Sequence, residues 1–304
     1  MSTFDVPSKA LMIVLSSAAG LTAEKRKQQG QQELFYQFSR KSQGYFSFNV
    51  LALRLRDNKV HRQQKNALTR SNGNVLLIIA HPDDECMFFG PLLLKLLQEP
   101  KVNIYVICLS SGNFNGLGSS RKREFFKSCT ALGLKEENCF IEDIFNLATC
   151  QFLDNPLEEW PKESIAELVF EFIKKYNINL IFTFDEKGIS GHLNHRSIYY
   201  GLRNLDFFMK SFFSNNSRFL IKKLSQKEVP TVLTLTSVSI FRKYIGIFDL
   251  LFSAHQERIC VSSAEQVSVI RKAMRAHHSQ YVWFRKLYVY FSRYVYINTF
   301  TAMK

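Results

Sequence analysis

The chain has 304 residues, 46% of them hydrophobic, and a formal net charge of +14 at pH 7. That length fits one large domain with appendages. It excludes an ordinary membrane-spanning helix near the start, because the longest N-terminal apolar run, residues 10–21, has twelve residues and a span needs about twenty. The charge sits at the ends: residues 1–70 carry twelve Lys and Arg against four Asp and Glu, residues 266–304 carry seven against none, and the middle is near neutral. Basic ends on a neutral body suit an anionic surface, either membrane headgroups or nucleic acid, and equally suit simple solubility. The six cysteines form no C-x-x-C pair, and Cys86 and Cys108 lie in apolar segments, a pattern that favours a reducing compartment.

Residues 1–74 read as a basic, partly irregular extension, and whether residues 10–21 form the core of a signal peptide is left open. A lone sequon, Asn215-Asn216-Ser217, is close to chance. Ordered alternation begins at Val75. A fully apolar strand over residues 75–80 leads to a helix over 91–98 with Pro91 in its first turn, then to a strand over 102–109. A loop rich in Gly, Ser and Asn spans 110–120, and a helix from Arg121 stops at Gly133. A short strand near 139–142, a helix over 161–176, a strand over 180–184 and a helix over 192–209 continue the series. Strand, crossover helix, strand is the signature of a parallel sheet covered on both faces. The fold class expected is therefore α/β, doubly wound and Rossmann-like, over residues 75–260. Beyond Pro230 come a strand-like run over 232–240, an apolar segment over 244–254 and a helix opening at Ser262 or Ser263. Residues 261–304 form a C-terminal helix and an aromatic, basic segment. The stretch 281–300 interleaves nine aromatic residues with Arg285, Lys286 and Arg293. It suits either the headgroup layer of a membrane or burial against the main domain.

The chemistry concentrates where two apolar strands stop. The first ends on His81-Pro82-Asp83-Asp84-Glu85 and the second is followed by His192-Leu193-Asn194-His195, and in open α/β sheets ligands bind just beyond the carboxyl ends of strands. A catalytic zinc takes three protein ligands and keeps a further position for water. His81, Asp84 and His195 supply such a set. Coordination lowers the pKa of water from about 15.7 to about 7, worth roughly 12 kcal/mol toward a nucleophile at neutral pH. Asp83, beside a ligand but not needed as one, is the natural general base. His192, one turn before His195, can donate to the oxygen that becomes negative or protonate a leaving amine. Glu85 is ambiguous, since an acid at a helix start also favours the helix dipole. The glycine-rich loop lacks the spacing of a nucleotide-binding loop, but with Arg121 it can hold an anionic ligand.

These residues, with Ser110-Ser111-Gly112-Asn113, Gly116-Leu117-Gly118, Arg121-Lys122-Arg123-Glu124, Thr183-Phe184-Asp185, Gly188-Ile189-Ser190-Gly191 and the C-terminal run 276–285, resemble the PIG-L branch of the LmbE-like zinc deacetylases. The likeness covers about residues 75–300. It implies removal of acetate from N-acetylglucosaminyl-phosphatidylinositol, the second step of glycosylphosphatidylinositol-anchor synthesis, on the cytoplasmic face of the endoplasmic reticulum membrane. It implies a metal, Zn2+ or alternatively Fe2+, on His81, Asp84 and His195, with Asp83 as base and His192 as acid or oxyanion stabiliser. Arg121, Glu124 and Asn113 become candidates for substrate binding, while His277 and Gln280 fall in the matching terminal motif without an assigned role. The partners implied are the lipid-linked sugar and a membrane surface, not nucleic acid. Members of this branch typically carry an N-terminal span, which residues 10–21 do not match. The alternatives are deacetylation of a small soluble amino-sugar conjugate by the same site, and a non-catalytic protein binding membranes or nucleic acid through its basic ends.

Overall fold

A strand as apolar as residues 75–80 has no side it can turn to water, so it must lie inside a covered sheet. In the computed structural model, which describes residues 73–141, 152–205, 208 and 230–303, it does. β1 (Gly73–Ile79) pairs in parallel with β2 (Val102–Cys108) on one side and β4 (Ile178–Phe184) on the other. Every side chain from Val75 to Ala80 is at most 1% exposed. β3 (Cys139–Ile141) extends the sheet beyond β2 and β5 (Thr231–Leu235) extends it beyond β4, all in parallel. β7 (Ile297–Ala302) then runs antiparallel to β5 and to β6 (Ile259–Val261), giving the seven-stranded order β3-β2-β1-β4-β5-β7-β6. The described residues all belong to one unit of the chain, His61–Lys304.

The chain leaves β1 toward β2 and β3, then returns across the sheet to β4 and β5 on the other side of β1. This reversal opens a crevice outside the carboxyl ends of β1 and β4. α1 (Asp84–Met87) and α2 (Gly90–Leu96) follow β1, with Pro91 in the first turn of α2. α3 (Gly118–Leu132) ends at Gly133, whose left-handed φ of 92° lets the next N–H, that of Leu134, return to the Cys129 carbonyl. α4 (Lys162–Tyr176) crosses from β3 to β4, and α5 (Leu193–Arg203) leaves β4 with His192 at its N-cap. α4 packs on α5 as one helix pair of the doubly wound sheet.

Three expectations change shape on the C-terminal side. The strand expected over 232–240 stops at Leu235, because Ser237 is occupied by the Asp185 carboxylate and Ser239 opens α6 (Ile240–Tyr244). The apolar segment over 244–254 is a 3-10 turn followed by α7 (Leu250–Ser253). The boundary placed at residue 260 cuts β6, and β7 is an interior strand, so residues 261–304 build the same sheet as the strands before them. α8 (Ala264–Ala276) opens with a reciprocal capping box between Ser263 and Gln266 and packs on α3. α9 (Trp283–Phe291) precedes β7.

Two polar ties hold this end in place. Asn298 on β7 accepts from the Leu92 N–H (3.1 Å) and donates to the Phe88 carbonyl (2.8 Å), which fastens the strand to the α1–α2 junction. Asp249 is buried between Arg293 and Arg242, at 2.6 Å from each, and pins the segment carrying α6 and α7. Residues 1–72 and the sequon at 215–217 lie outside the described residues, as do Phe207 and Met209 at the expected end of the α5 helix. Among the described residues no helix is long and apolar enough to cross a membrane.

Candidate active site

β1 delivers its last residues into the crevice through a tight turn. Asp83 takes a φ of 115°, a region that costs a non-glycine residue free energy and persists where surrounding contacts over-determine it. Here the Asp83 N–H donates to Glu85 Oε2 (3.0 Å), and the Ala80 and His81 N–H groups donate to Asp84 Oδ2 (3.1 and 2.8 Å). The turn thus aims Asp84 back over the end of β1. Just past the neighbouring strand β4, Asp185 accepts from the Lys187 and Gly188 N–H groups and from Ser237, shaping the loop that leads into α5. Gly188 has φ 56°, and a Cβ there would sit 2.9 Å from the His195 Cβ. Only glycine lets the loop approach α5 this closely.

His81, Asp84 and His195 converge, each offering one ligand atom, with all three atoms within 4.8 Å of one another. His195 Nε2 lies 3.4 Å and His81 Nδ1 3.7 Å from Asp84 Oδ2. The opposite ring nitrogens are held from behind. His195 Nδ1 donates to the Gly188 carbonyl (3.1 Å), which leaves a lone pair on Nε2, a buried atom with no hydrogen-bond partner. The ring stacks on Phe184 at 3.9 Å between centroids. His81 Nε2 is 3.1 Å from Asp154 Oδ1. With its amide turned to satisfy both ends, Asn194 accepts from the same nitrogen (3.2 Å) and donates to the Asn155 and Glu158 carbonyls. A carboxylate or carbonyl behind each imidazole is how ligating histidines are oriented and their tautomer fixed. An orphaned buried nitrogen facing a buried carboxylate and a second imidazole fits a divalent cation, and two His with one Asp is a donor set that zinc takes and ferrous iron accepts.

The electrostatics follow from burial. Burial works to raise the Asp84 carboxyl, but the His195 and His81 imidazoles and the backbone N–H outweigh it and hold the group well below the usual carboxylate range. For Asp83 burial prevails over Arg285 and Arg121, and its pKa is raised. Asp83 Oδ2 lies 3.2 Å from Arg285 and 3.7 Å from Arg121 without accepting a hydrogen bond from either. It is an available proton acceptor flanked by two cations. His192 stands with its ring centroid 4.7 Å from that of His81 and 4.9 Å from that of His195. Burial, then these two neighbours, pushes it down to about 4, so at neutral pH it is an uncharged imidazole carrying one N–H.

These groups line a cleft of about 370 Å³, within the range of small-molecule sites. Arg121 lines it as well, with its guanidinium donating to the Gly112 and Pro82 carbonyls. Glu124 and Asn113 are not among the lining residues. Glu124 accepts from the Ser279 N–H (2.9 Å) and hydroxyl (2.6 Å), and exposed Asn113 accepts from the Gly118 N–H (2.9 Å), closing the loop before α3. Glu85 and His277 form a separate, fully buried ion pair at 2.6 Å, with Ser128 donating to the same carboxylate oxygen. Cys86 lies beside this pair, but its thiol donates to the Asp83 carbonyl and burial raises its pKa, so the cluster reads as a brace under the turn. Sequence reasoning missed Asp154 and the placement of Arg285 in the cleft. No spacing marks Asp154, which sits in an irregular loop. Arg285 lay in plain view within the aromatic, basic segment; Gln280, the residue after Ser279, turns it inward by accepting from its guanidinium.

The family model described as PIG-L: GlcNAc-PI de-N-acetylase matches residues 76–205, the stretch holding both halves of the His81, Asp84 and His195 cluster. The chain is 32% identical over 246 residues to N-acetylglucosaminyl-phosphatidylinositol de-N-acetylase of Bos taurus, covering 79% of this chain and 88% of the bovine protein. It is 32% identical over 247 residues to the protein of the same name from Saccharomyces cerevisiae, covering 74% of this chain and 79% of the yeast protein. The chain belongs to the PIG-L family. Among solved structures, N,N'-diacetylchitobiose deacetylase from Pyrococcus horikoshii superimposes with a TM-score of 0.51 at 16% identity, covering 82% of this chain and 92% of that one. That similarity establishes a shared α/β fold. The PIG-L match places the expected branch on the sequence, and the structure brings His81, Asp83, Asp84, Arg121, His192 and His195 to one crevice while Asn113 and Glu124 turn away from it.

Proposed function

We propose that this PIG-L family member is a metal-dependent de-N-acetylase that releases acetate from N-acetylglucosaminyl-phosphatidylinositol, the second step of glycosylphosphatidylinositol-anchor synthesis. The observation that carries the reading is the convergence of the His81, Asp84 and His195 donor atoms beside an unbonded Asp83 oxygen, in a chain whose relatives bear that activity in their names. His81, Asp84 and His195 would hold a divalent cation, zinc in the first instance, and the chemistry it would supply there is acidification of water and polarisation of the amide carbonyl.

The chain's own side chains supply the rest. Asp83 takes the proton of the attacking water, with its carboxylate held in place by the strained turn and the Glu85 contact. His192 presents its N–H where negative charge develops on the acetamide oxygen, a donor positioned before the reaction starts. Breaking the C–N bond requires a proton on the departing sugar nitrogen, and Asp83 holds the one it has just accepted. Arg121 and half-buried Lys243 place positive charge on the cleft wall, which suits a substrate carrying a phosphodiester. In this reading the protein works at a membrane surface, with its catalytic unit on the cytoplasmic side of the endoplasmic reticulum.

The test is acetate release from the purified glycolipid by the full chain, untreated, after chelation, and after chelation with Zn2+ or Fe2+ restored. Loss on chelation and recovery with one of the two metals is expected. Undiminished release from metal-free protein would overturn the reading.

A further inference from the structure

The mouth of the cleft carries side chains that a water-facing surface does not need. On α9, Trp283 is 72%, Phe284 53% and Phe291 50% exposed, while Tyr288 and Val289 of the same helix are buried. Residues 283, 284, 287 and 291 share one helical face, so α9 turns an apolar stripe outward and keeps its anchor inward. α6 packs on α9, and the segment from α6 to α7 adds Ile240 at 78%, Phe241 at 68% and Leu251 at 74% exposure. Charge on this face has one sign. Lys286 is exposed among the apolar groups, Lys243 and Arg285 stand half-buried at the edge of the cleft, and the only acid in either segment, Asp249, is buried between Arg242 and Arg293. The same two segments supply Lys243, Tyr244, Phe284, Arg285 and Tyr288 to the cleft itself.

We propose that the face made by α6, α7 and α9 docks into the headgroup layer of a bilayer containing anionic phospholipid, so that the cleft opens directly onto the membrane and receives the sugar headgroup of a substrate whose acyl chains stay in lipid. Aromatic rings belong at the boundary between headgroup and hydrocarbon, and interleaved Lys and Arg meet the lipid phosphates. Most of the basic, aromatic stretch after Phe291 is unavailable for this, because residues 292–300 are buried in the body of the protein. The docking face is therefore α9 together with a segment forty residues earlier. This inference rests on the glycolipid reading above.

The chain reports on it directly, since it has two tryptophans and Trp160 is 3% exposed. Full-length protein is mixed with phosphatidylcholine–phosphatidylinositol vesicles whose acyl chains are brominated. Trp283 emission should shift to the blue and be quenched, and Trp160→Phe should keep both effects. The double variant Phe241→Ser with Leu251→Ser should lose the quenching and fall at least about tenfold in turnover of vesicle-embedded glycolipid, while deacetylating the acyl-free N-acetylglucosaminyl-phosphoinositol headgroup as the unaltered protein does. Trp283 emission indifferent to vesicles, or already blue without them because other protein covers the face, would overturn the proposal. So would unimpaired turnover of the vesicle substrate by the double variant. Failure of the unaltered protein to deacetylate either substrate would instead strike the glycolipid reading, leaving the quenching to decide the docking.

Discussion

Replacing His277 with alanine removes the imidazole that faces Glu85 at 2.6 Å in a site where both side chains are 0% exposed. The carboxylate keeps the Ser128 hydroxyl and the Asp83 N–H but loses the one countercharge it has at contact distance among the described residues. Stranding one member of a buried pair costs about 3–5 kcal/mol, roughly a fifth or more of the stability of a typical domain. Removing the charge at the same time avoids the stranded anion, so Glu85→Gln combined with His277→Ala should cost clearly less than the sum of the two single changes. Denaturant unfolding of the four proteins, with unchanged m-values, reads the coupling. The pair also sets a pH dependence. Burial works to lower the His277 pKa, but Glu85 outweighs it and the net shift is upward from the ordinary 6.5. A raised pKa means stability that is fully present below pH 6.5 and lost as pH rises through the folded-state value. The His277→Ala protein should lack that alkaline decline. A cost under about 1 kcal/mol, or single effects that simply add, would refute the reasoning.

Asp84→Asn and His195→Ala should each abolish stoichiometric binding of a divalent metal, measured by elemental analysis after dialysis, because among the described residues three protein donors converge at this crevice and losing one leaves two. Asp83→Asn should retain the metal and lose about 10²–10⁴-fold in kcat. Gly112→Ala meets a φ of 70° and a Cβ 2.3 Å from the Arg121 guanidinium carbon; displacing that side chain should raise KM more than it lowers kcat, seen in steady-state kinetics on the headgroup substrate. In metal-free protein the His192 ring protons should titrate near pH 4 by NMR; a midpoint near 6.5 would contradict the buried, twice-flanked position.

The parallel core and the convergence of the candidate metal donors were readable because each rests on a local pattern. An all-apolar strand that stops on polar residues fixes both its own burial and the place where those residues emerge, so His81 with Asp84, and His192 with His195, could be put at one crevice from the chain alone. What was not readable depends on direction and distance. Asn113 and Glu124 sit in motifs beside the cleft, yet their side chains bond Gly118 and Ser279. Proximity in a motif does not say which way a side chain turns. Asp154 reaches His81 from an irregular loop with no periodicity, and Glu85 meets His277 across 192 residues with no spacing to suggest it. The aromatic segment at 281–300 could be read as membrane-facing or buried because both environments select the same residues; the structure divides it, with the α9 stripe outward and β7 inside.

β7 carries a consequence for how the protein is made. It is the filling between β5 and β6, and its Asn298 is tied to the junction that follows the Asp83 turn. While residues 297–302 are still inside the ribosome, the emerged chain has two strand edges with no partner between them and a catalytic loop with no strut beneath it. Activity must therefore await the emergence of β7, and a chain cut short anywhere before Ile297 is left an open-edged fragment suited to chaperone capture and proteolysis.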